Sequence, residues 1–318
     1  MLLSRVPLRI SLSGGGTDSP EFVKDRGGLV ITAAINQYVY VAVNDTPLGD
    51  PGWTLKYSQH EHAEVIEDIE HPLIRTAISF YDVPERTEVA CLADIPGGTG
   101  LGSSGAFTVA LCQAFSEYVG HHLPQRTLAA HAAEIELDIL RRGGGKQDHF
   151  ACALGDLQVL EFHRDGAVSS RQLYISQDTF HKLEDNLHLY FTGISRDADK
   201  ILTTQTTEGL DDILAMGHDV RKYLENDDLT EFGKSLNGHW EAKKLRSPQM
   251  STESVDRCYR VGMSAGAIGG KLCGAGAGGF VLFMTEDPKK LNIAMTMMGY
   301  DEVPFKFDTV GACLINTQ

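Results

Sequence analysis

Residues 94–115 read DIPGGTGLGSSGAFTVALCQAF, so five glycines and two serines run straight into an apolar stretch. Backbone this bare cannot build a core, yet it opens what the spacing of Phe107, Leu111, Ala114, Phe115 and Tyr118 predicts to be a buried helix starting near Ser103. Gly120 stands where a helix-ending glycine belongs. A helix start carries unpaired N–H groups and a partial positive charge, and a loop without bulky side chains lets an anion reach them. The segment therefore reads as a phosphate-holding loop, with a flexible turn as the competing reading.

Two familiar versions of such a loop do not fit. A Walker loop needs Lys after its last glycine, and here Ser103 and Ser104 follow. Gly100, Gly102 and Gly105 match G-x-G-x-x-G, but the dinucleotide reading needs a second strand after the helix, and HHLPQRTLAAHAAEIELDIL predicts another helix instead. Gly274, Gly276 and Gly279 repeat the pattern before a strand, where it has no phosphate-binding sense.

The formal charge of -15 argues against a nucleic-acid surface, which depends on clustered Lys and Arg. Any phosphate is expected at a small local site. The six cysteines are scattered, form no C-x-x-C pair and fit a reducing cytoplasm. No apolar run reaches the roughly 18 residues needed to span a bilayer, and MLLSRVPLRISLSGGG lacks a signal-peptide core, so a soluble, unprocessed cytoplasmic chain is expected. With 318 residues there is room for two domains, and the boundary is placed near residue 180, giving 1–180 and 181–318.

Along the chain, residues 28–44 read as a strand, TPLGDPGW as a turn before the next strand, and Thr87 to Pro96 as a strand entering the glycine loop. Helical patterns follow at about Gln125 to Arg141 and between Asp197 and Gly266. Strands are expected at Leu187 to Thr192, Gly279 to Met284, Glu302 to Phe307 and Ala312 to Asn316, with a helix between the second and third. Two further bare stretches, LSGGGTDSP at 12–20 and GGKLCGAGAGGFVLFM at 269–284, suggest one cleft seen from three sides.

With these stretches together the chain resembles the GHMP kinases. Their central signature, Pro, three residues and Gly-Leu-Gly-Ser-Ser-Ala, is matched by Pro96 and GLGSSGA at 100–106; the first motif maps onto VPLRISLSGGGTD and the last onto KLCGAGAGGF. GGGTD, GGKQDHFACALG and FTGISRDADKIL look most like the members that phosphorylate D-glycero-D-manno-heptose 7-phosphate at its anomeric hydroxyl. Gly15 and Gly16 replace the Glu and His of the galactokinase motif, which disfavours galactose. LRSPQMS departs from the pattern of heptose kinases, and fucokinase-like enzymes share parts of the rest.

The resemblance implies an α+β fold, with an N-terminal domain like domain 2 of ribosomal protein S5, a ferredoxin-like C-terminal domain and ATP between them. It implies a monomer or homodimer that takes ATP and a sugar or sugar phosphate and uses Mg²⁺. Pro96, Gly97, Gly98, Gly100, Leu101, Gly102, Ser103 and Ser104 would hold the nucleotide, and Ser104 with a carboxylate of the following helix would hold the metal. Glu134 and Glu136 lie about 200° apart on a helix, so one faces the cleft, and the family's interval favours Glu136.

Asp148 would be the general base and Arg9 its cationic partner; by local sequence alone the first serves equally as a helix cap and the second as a surface-strand residue. Gly14, Gly15, Gly16, Thr17, Asp18, Lys146, Gly274, Gly276 and Gly278 would surround the substrate. Arg196, Lys243, Lys244 and Arg246 are candidates for an acceptor's phosphate, each with a solvated surface role as the alternative. His60, His62 and His71 lack metal-ligand spacing and read as loop histidines. Two other readings are a ligand-binding regulator that lost catalysis and a decarboxylase of the same superfamily.

Overall fold

The structure, a computed structural model, describes residues 1–195 and 201–315. Its organising strand is β1 (Leu2–Ser13), which alternates apolar and polar residues. Val6, Leu8, Ile10 and Leu12 point into the main core, and the period of two puts Arg9, Ser11 and Ser13 on the opposite face. That second face is also covered, so Arg9 is only 4% exposed.

β1 pairs antiparallel with β2 (Gly28–Asp45), from Leu2 opposite Val43 to Ser13 opposite Ile31. β2 divides its other edge: its first residues pair with β6 (Leu157–Phe162) and its last with β5 (Thr87–Ala93). β3 (Trp53–Lys56) and β4 (His60–Ala63) extend the sheet beyond β5, and β7 (Val168–Gln172) extends it beyond β6. The last strand, β12 (Cys313–Leu314), returns to the free edge of β1.

Helices α1 (Pro20–Arg26), α2 (Pro72–Tyr81), α3 (Ser103–Tyr118), α4 (Gln125–Ala133) and α5 (Gln147–Leu154) belong to this half. α3 buries Ala106, Val109, Ala110, Leu111 and Phe115 and packs on β1 and β2, so the glycine loop at its start is held at the end of the strands. α4 continues into a π-helical turn, Glu134–Ile139.

After α6 (Gln177–Asn186) comes a second sheet of β8 (Leu187–Phe191), β9 (Gly269–Leu272), β10 (Phe280–Met284) and β11 (Glu302–Val303), antiparallel in the order β11-β8-β10-β9. Helices α7 (Leu210–Glu225), α8 (Leu229–Lys244) and α9 (Glu253–Ser264) connect β8 to β9, and α10 (Pro288–Met297) connects β10 to β11. Counted within the sheet, the strands stand 4-1-3-2, the ferredoxin-like arrangement. The class is α+β. Among the described residues no helix is long and apolar enough to cross a membrane.

The expected strand from Glu302 to Phe307 is paired in the second sheet only at Glu302 and Val303. Phe305 and Phe307 instead bury themselves in the first core, where Phe307 bridges to Ile35 and Asn36 donates its N–H to the Lys306 carbonyl at 2.9 Å. Burying two phenyl rings outweighs a longer second-sheet ladder.

The two sheets meet at glycine. Gly100 and Gly274 have φ of 90° and 69°, and a Cβ on Gly274 would stand 2.3 Å from the Gly100 Cα. Both backbone conformation and space exclude a side chain there. Gly274→Ala is expected to cost about 1–3 kcal/mol by overpacking beyond Gly299→Ala, which shares a positive φ of 80° but meets nothing within 4 Å. Urea unfolding of the two variants measures the difference, and equal losses would contradict the close approach.

Candidate functional site

The three glycine-rich stretches converge on one cleft of about 340 Å³ between the sheets. Its upper wall is the loop before α3. Gly98, Gly100 and Gly102 all take positive φ, and Gly102 caps α3 without any side-chain hydrogen bond. Side chains close some of the other helix starts, Ser176 for α6, Asp228 for α8 and Thr252 for α9, while α1, α4, α5 and α7 also start without one. The Ser103 hydroxyl is also buried without a partner among the described residues. An uncapped helix start with an orphaned hydroxyl beside it suits an anionic ligand.

Leu101 is buried in the core, and its carbonyl accepts the Arg9 backbone N–H at 3.0 Å, which pins the loop to β1. Pro96 and Gly97 stand exposed at the loop's entry and do not line the cleft.

Across from the loop, Asp148 sits in the first turn of α5, its side chain 29% exposed. Arg9 donates to its Oδ1 from Nε at 2.8 Å, approaches it with Nη2 at 2.6 Å, and donates from Nη1 to the Gly100 carbonyl at 2.9 Å. One guanidinium thus ties the carboxylate to the glycine loop. Burial alone would lower the Arg9 pKa, but the charge and hydrogen bond of Asp148, with Cys152 and Cys273 adding, together outweigh it and the net shift is upward.

Glu136 lies in the π-helical turn, buried, while Glu134 points outward and is exposed. π-turns are rare and concentrate at functional sites. Glu136 Oε1 accepts the Ser104 hydroxyl and stands 3.8 Å from Arg142 Nη1; Oε2 is 3.2 Å from the Thr108 hydroxyl and 2.9 Å from His149 Nε2. Burial works against the charged carboxylate, but the His149 and Ser104 hydrogen bonds and the Arg142 charge outweigh it and lower its pKa.

Asp18 is buried and accepts the Gln147 backbone N–H at 3.0 Å and the Gln147 side-chain amide at 2.7 Å. Burial raises its pKa, the Gln147 amide opposing and the neighbouring Asp148 adding to the rise. Gly15 and Gly16 present bare backbone to the cleft, and a Cβ on Gly16 would come within 2.3 Å of Arg246 Nη1. Gly14 and Thr17 stand behind them: the Thr17 hydroxyl lies 2.8 and 3.0 Å from the Gly14 and Leu29 carbonyls, shares its one proton between them and holds the turn.

The facing wall comes from the second sheet and α8. Lys243 donates to the carbonyls of Leu272 and Gly274 at 2.9 and 2.6 Å, and Arg246 donates from Nε to Thr206 at 3.2 Å. Lys271 and His239 also line this wall. Gly274 faces the cleft, whereas Gly276 packs on Met250 and Gly278 on Ile194.

Several residues fall elsewhere. Lys146 reaches the Gly166 carbonyl at 3.0 Å, away from the cleft lining, because the turn before α5 sends its stem outward. Lys244 bridges Glu241 at 2.8 Å and covers the Trp240 ring. Arg196 lies outside the described residues. His71 caps α2, accepting from the Ile74 N–H at 3.4 Å, and His60 and His62 lie in β4 rather than a loop.

Sequence reasoning missed Arg142, Gln147, His149, His239 and Lys271. His149 directly follows Asp148 and Lys271 lies inside the last glycine motif, so adjacency was the available signal. His239, mid-helix, carried none.

Burial lowers the Lys271 pKa to about 8, with Cys273 opposing and Arg9 adding to the shift. The folded state then binds the proton less tightly than the unfolded chain, whose value is 10.5. The destabilisation is complete below pH 8 and fades as pH rises toward 10.5. Lys271→Met should therefore be more stable than the parent at pH 7, with the gap closing as pH rises. Denaturant unfolding across that range checks it, and a gap independent of pH would contradict it.

Comparison with known proteins agrees with this layout. Residues 53–156 match the GHMP kinases N terminal domain and residues 220–300 the GHMP kinases C terminal domain. The chain is 30% identical over 308 residues to D-glycero-alpha-D-manno-heptose 7-phosphate kinase of Campylobacter jejuni, covering 91% of each. It is 24% identical to L-fucokinase/L-fucose-1-P guanylyltransferase of Bacteroides fragilis, over 90% of this chain but 34% of that one. Among solved structures it resembles a D-glycero-D-manno-heptose 1-phosphate kinase from Bacteroides thetaiotaomicron, with a TM-score of 0.83, 27% identity and full coverage of both chains. A putative sugar kinase from Campylobacter jejuni follows it, with a TM-score of 0.81, 27% identity and coverage of 99% and 98%. Two matched domains in the right order and a full-length relative at this identity place the chain in the GHMP kinase family.

Proposed function

We propose that this chain is a sugar kinase that transfers the γ-phosphoryl group of ATP to the anomeric hydroxyl of a sugar phosphate, D-glycero-D-manno-heptose 7-phosphate, giving the 1,7-bisphosphate. The observation that carries the reading is the Arg9–Asp148 pair, bonded also to Gly100, opposite a helix start with no side-chain cap. The choice of sugar rests on the heptose 7-phosphate kinase of Campylobacter jejuni and on the heptose kinase among the structural relatives. The division into 1–180 and 181–318 belongs to the same proposal, with the last residues, from Phe305 to β12, returning to the first core and sheet.

Phosphoryl transfer demands little covalent work from a protein and much positioning and charge neutralisation. The amides of Gly100, Gly102, Ser103 and Ser104 would hold the phosphate chain. Ser104 and Glu136 form an all-oxygen pair with a single carboxylate, a donor set that suits Mg²⁺, which keeps several waters and takes its other ligands from phosphates. When bound, the metal neutralises phosphate charge. Asp18 would accept from sugar hydroxyls beside the bare Gly15–Gly16 turn.

Asp148 would take the proton of the acceptor hydroxyl as its oxygen bonds to phosphorus and the bond to the ADP oxygen breaks. Arg9 would orient that carboxylate and offset the charge that develops beside it. On this account Asp148→Asn lowers kcat by about 10²–10⁴-fold, the range for losing a general base, and leaves the KM for ATP within about twofold. Steady-state kinetics measures both, and undiminished turnover would remove Asp148 from the chemistry.

The fucokinase relatives support a second acceptor, a free deoxy sugar. ADP release with a panel of free and phosphorylated sugars decides between them. The heptose 7-phosphate should show the highest kcat/KM, and a free sugar in its place would favour the second reading. No ADP with any sugar would support a binding protein that has lost catalysis.

A further inference from the structure

Two buried groups in the cleft remain unexplained by the transfer chemistry. Lys271, on β9, is 2% exposed, and its ammonium has no hydrogen-bond partner among the described residues. His239, on α8, is 2% exposed, and neither ring nitrogen has one. Both line the cleft. Leaving an ammonium and an imidazole dry and unpaired is costly, and side chains of this kind are otherwise replaced by apolar ones of similar volume without loss.

The two groups sit within one electrostatic neighbourhood. His239 lies in the fields of Lys271, Lys243 and Arg246, and with burial these hold it well below its usual pKa, hence as a neutral ring that can still donate one N–H. Lys243 has its ammonium on the Leu272 and Gly274 carbonyls. Arg246 is fixed by Thr206 and reaches over the Gly16 turn. The row ends at Arg9, whose charge bears on Lys271. This is a concentration of positive charge in a chain whose net charge is -15, and apart from Arg9 it comes from the wall that faces the helix start that would take the nucleotide.

We propose that Lys271 and His239, flanked by Arg246, form the subsite for a phosphate that the acceptor already carries, distinct from the phosphate being transferred. The proposal deepens the sugar-phosphate reading and rests on it. A dianion there supplies acceptors to both orphaned donors and compensates the Lys271 charge that burial penalises. It also gives the pocket a means of choosing a phosphorylated sugar over a free one, because a free sugar leaves two buried donors without partners.

The test has two arms. In the first, Lys271→Met and His239→Asn are assayed in the full chain with the heptose 7-phosphate and with the free heptose. The expected result is a rise of about 10- to 100-fold in the KM for the phosphorylated sugar with Lys271→Met, the loss of one charge-assisted hydrogen bond, and a fall of the same size in its preference over the free sugar. His239→Asn should move both in the same direction. Equal losses with the two sugars would overturn the proposal and assign Lys271 to the transferred phosphoryl group. The second arm needs no turnover. With ADP saturating the nucleotide loop, inorganic phosphate should raise the Tm of the parent protein and shift Lys271→Met much less. If both proteins respond alike the subsite is wrong. If only the parent responds while no sugar phosphate is turned over, the subsite stands and the substrate assignment fails. Lys271→Met should fold, since it removes an unpaired buried charge, and His239→Asn carries both arms if it does not.

Discussion

The site depends on a single guanidinium. Arg9 projects from the middle of β1 and joins Asp148 on α5 to the Gly100 carbonyl in the glycine loop. Its backbone N–H also holds Leu101 in the same loop. A buried cation needs partners that satisfy its fork, and here those partners are the two elements that must be held in register. Moving α5, the loop or β1 would leave a buried charge short of a hydrogen bond.

Around that anchor, the first half supplies the carboxylates of the cleft together with Arg9 and Arg142, and the second half supplies cations. Asp18, Glu136 and Asp148 come from the first half of the chain, and Lys243, Arg246 and Lys271 from the second. The carboxylates are satisfied internally, by Gln147, by Ser104, Thr108 and His149, and by Arg9. Lys271 is not. On the proposed reading the carboxylates also meet ligands but are held in place beforehand, whereas the Lys271 charge is buried without a partner among the described residues, a common trade between stability and function.

Much of this was legible in the sequence because local chemistry and tertiary role coincide at glycine. Bare backbone before an apolar helix pattern has few uses, and the strand of alternating residues that carries Arg9 follows from period two. Glu136 could be separated from Glu134 only with the family's spacing, since helical geometry says that one faces inward without saying which. The π-turn that seats it leaves no pattern in residues 134–139. Lys146 drew attention because it stands two residues before Asp148, while its ammonium reaches the Gly166 carbonyl rather than the cleft lining. His239 was invisible for the opposite reason, and Lys271 carried only its place in the last glycine motif: their shared neighbourhood is assembled from α8 and β9, some thirty residues apart. Asp148 fell between, since a helix cap and a cleft carboxylate read alike in sequence, and only the fold places Arg9 beside it.

The central claim is that a nucleotide's phosphates rest on the open start of α3 with Asp148 facing the group that attacks them. A crystal structure of the protein with a non-hydrolysable ATP analogue and Mg²⁺ tests it most directly. The account predicts phosphate oxygens within hydrogen-bond distance of the backbone N–H groups of Gly100 to Ser104, with the terminal phosphate between that loop and the Asp148 carboxylate. Phosphates bound away from the loop, or a terminal phosphate screened from Asp148, would contradict it.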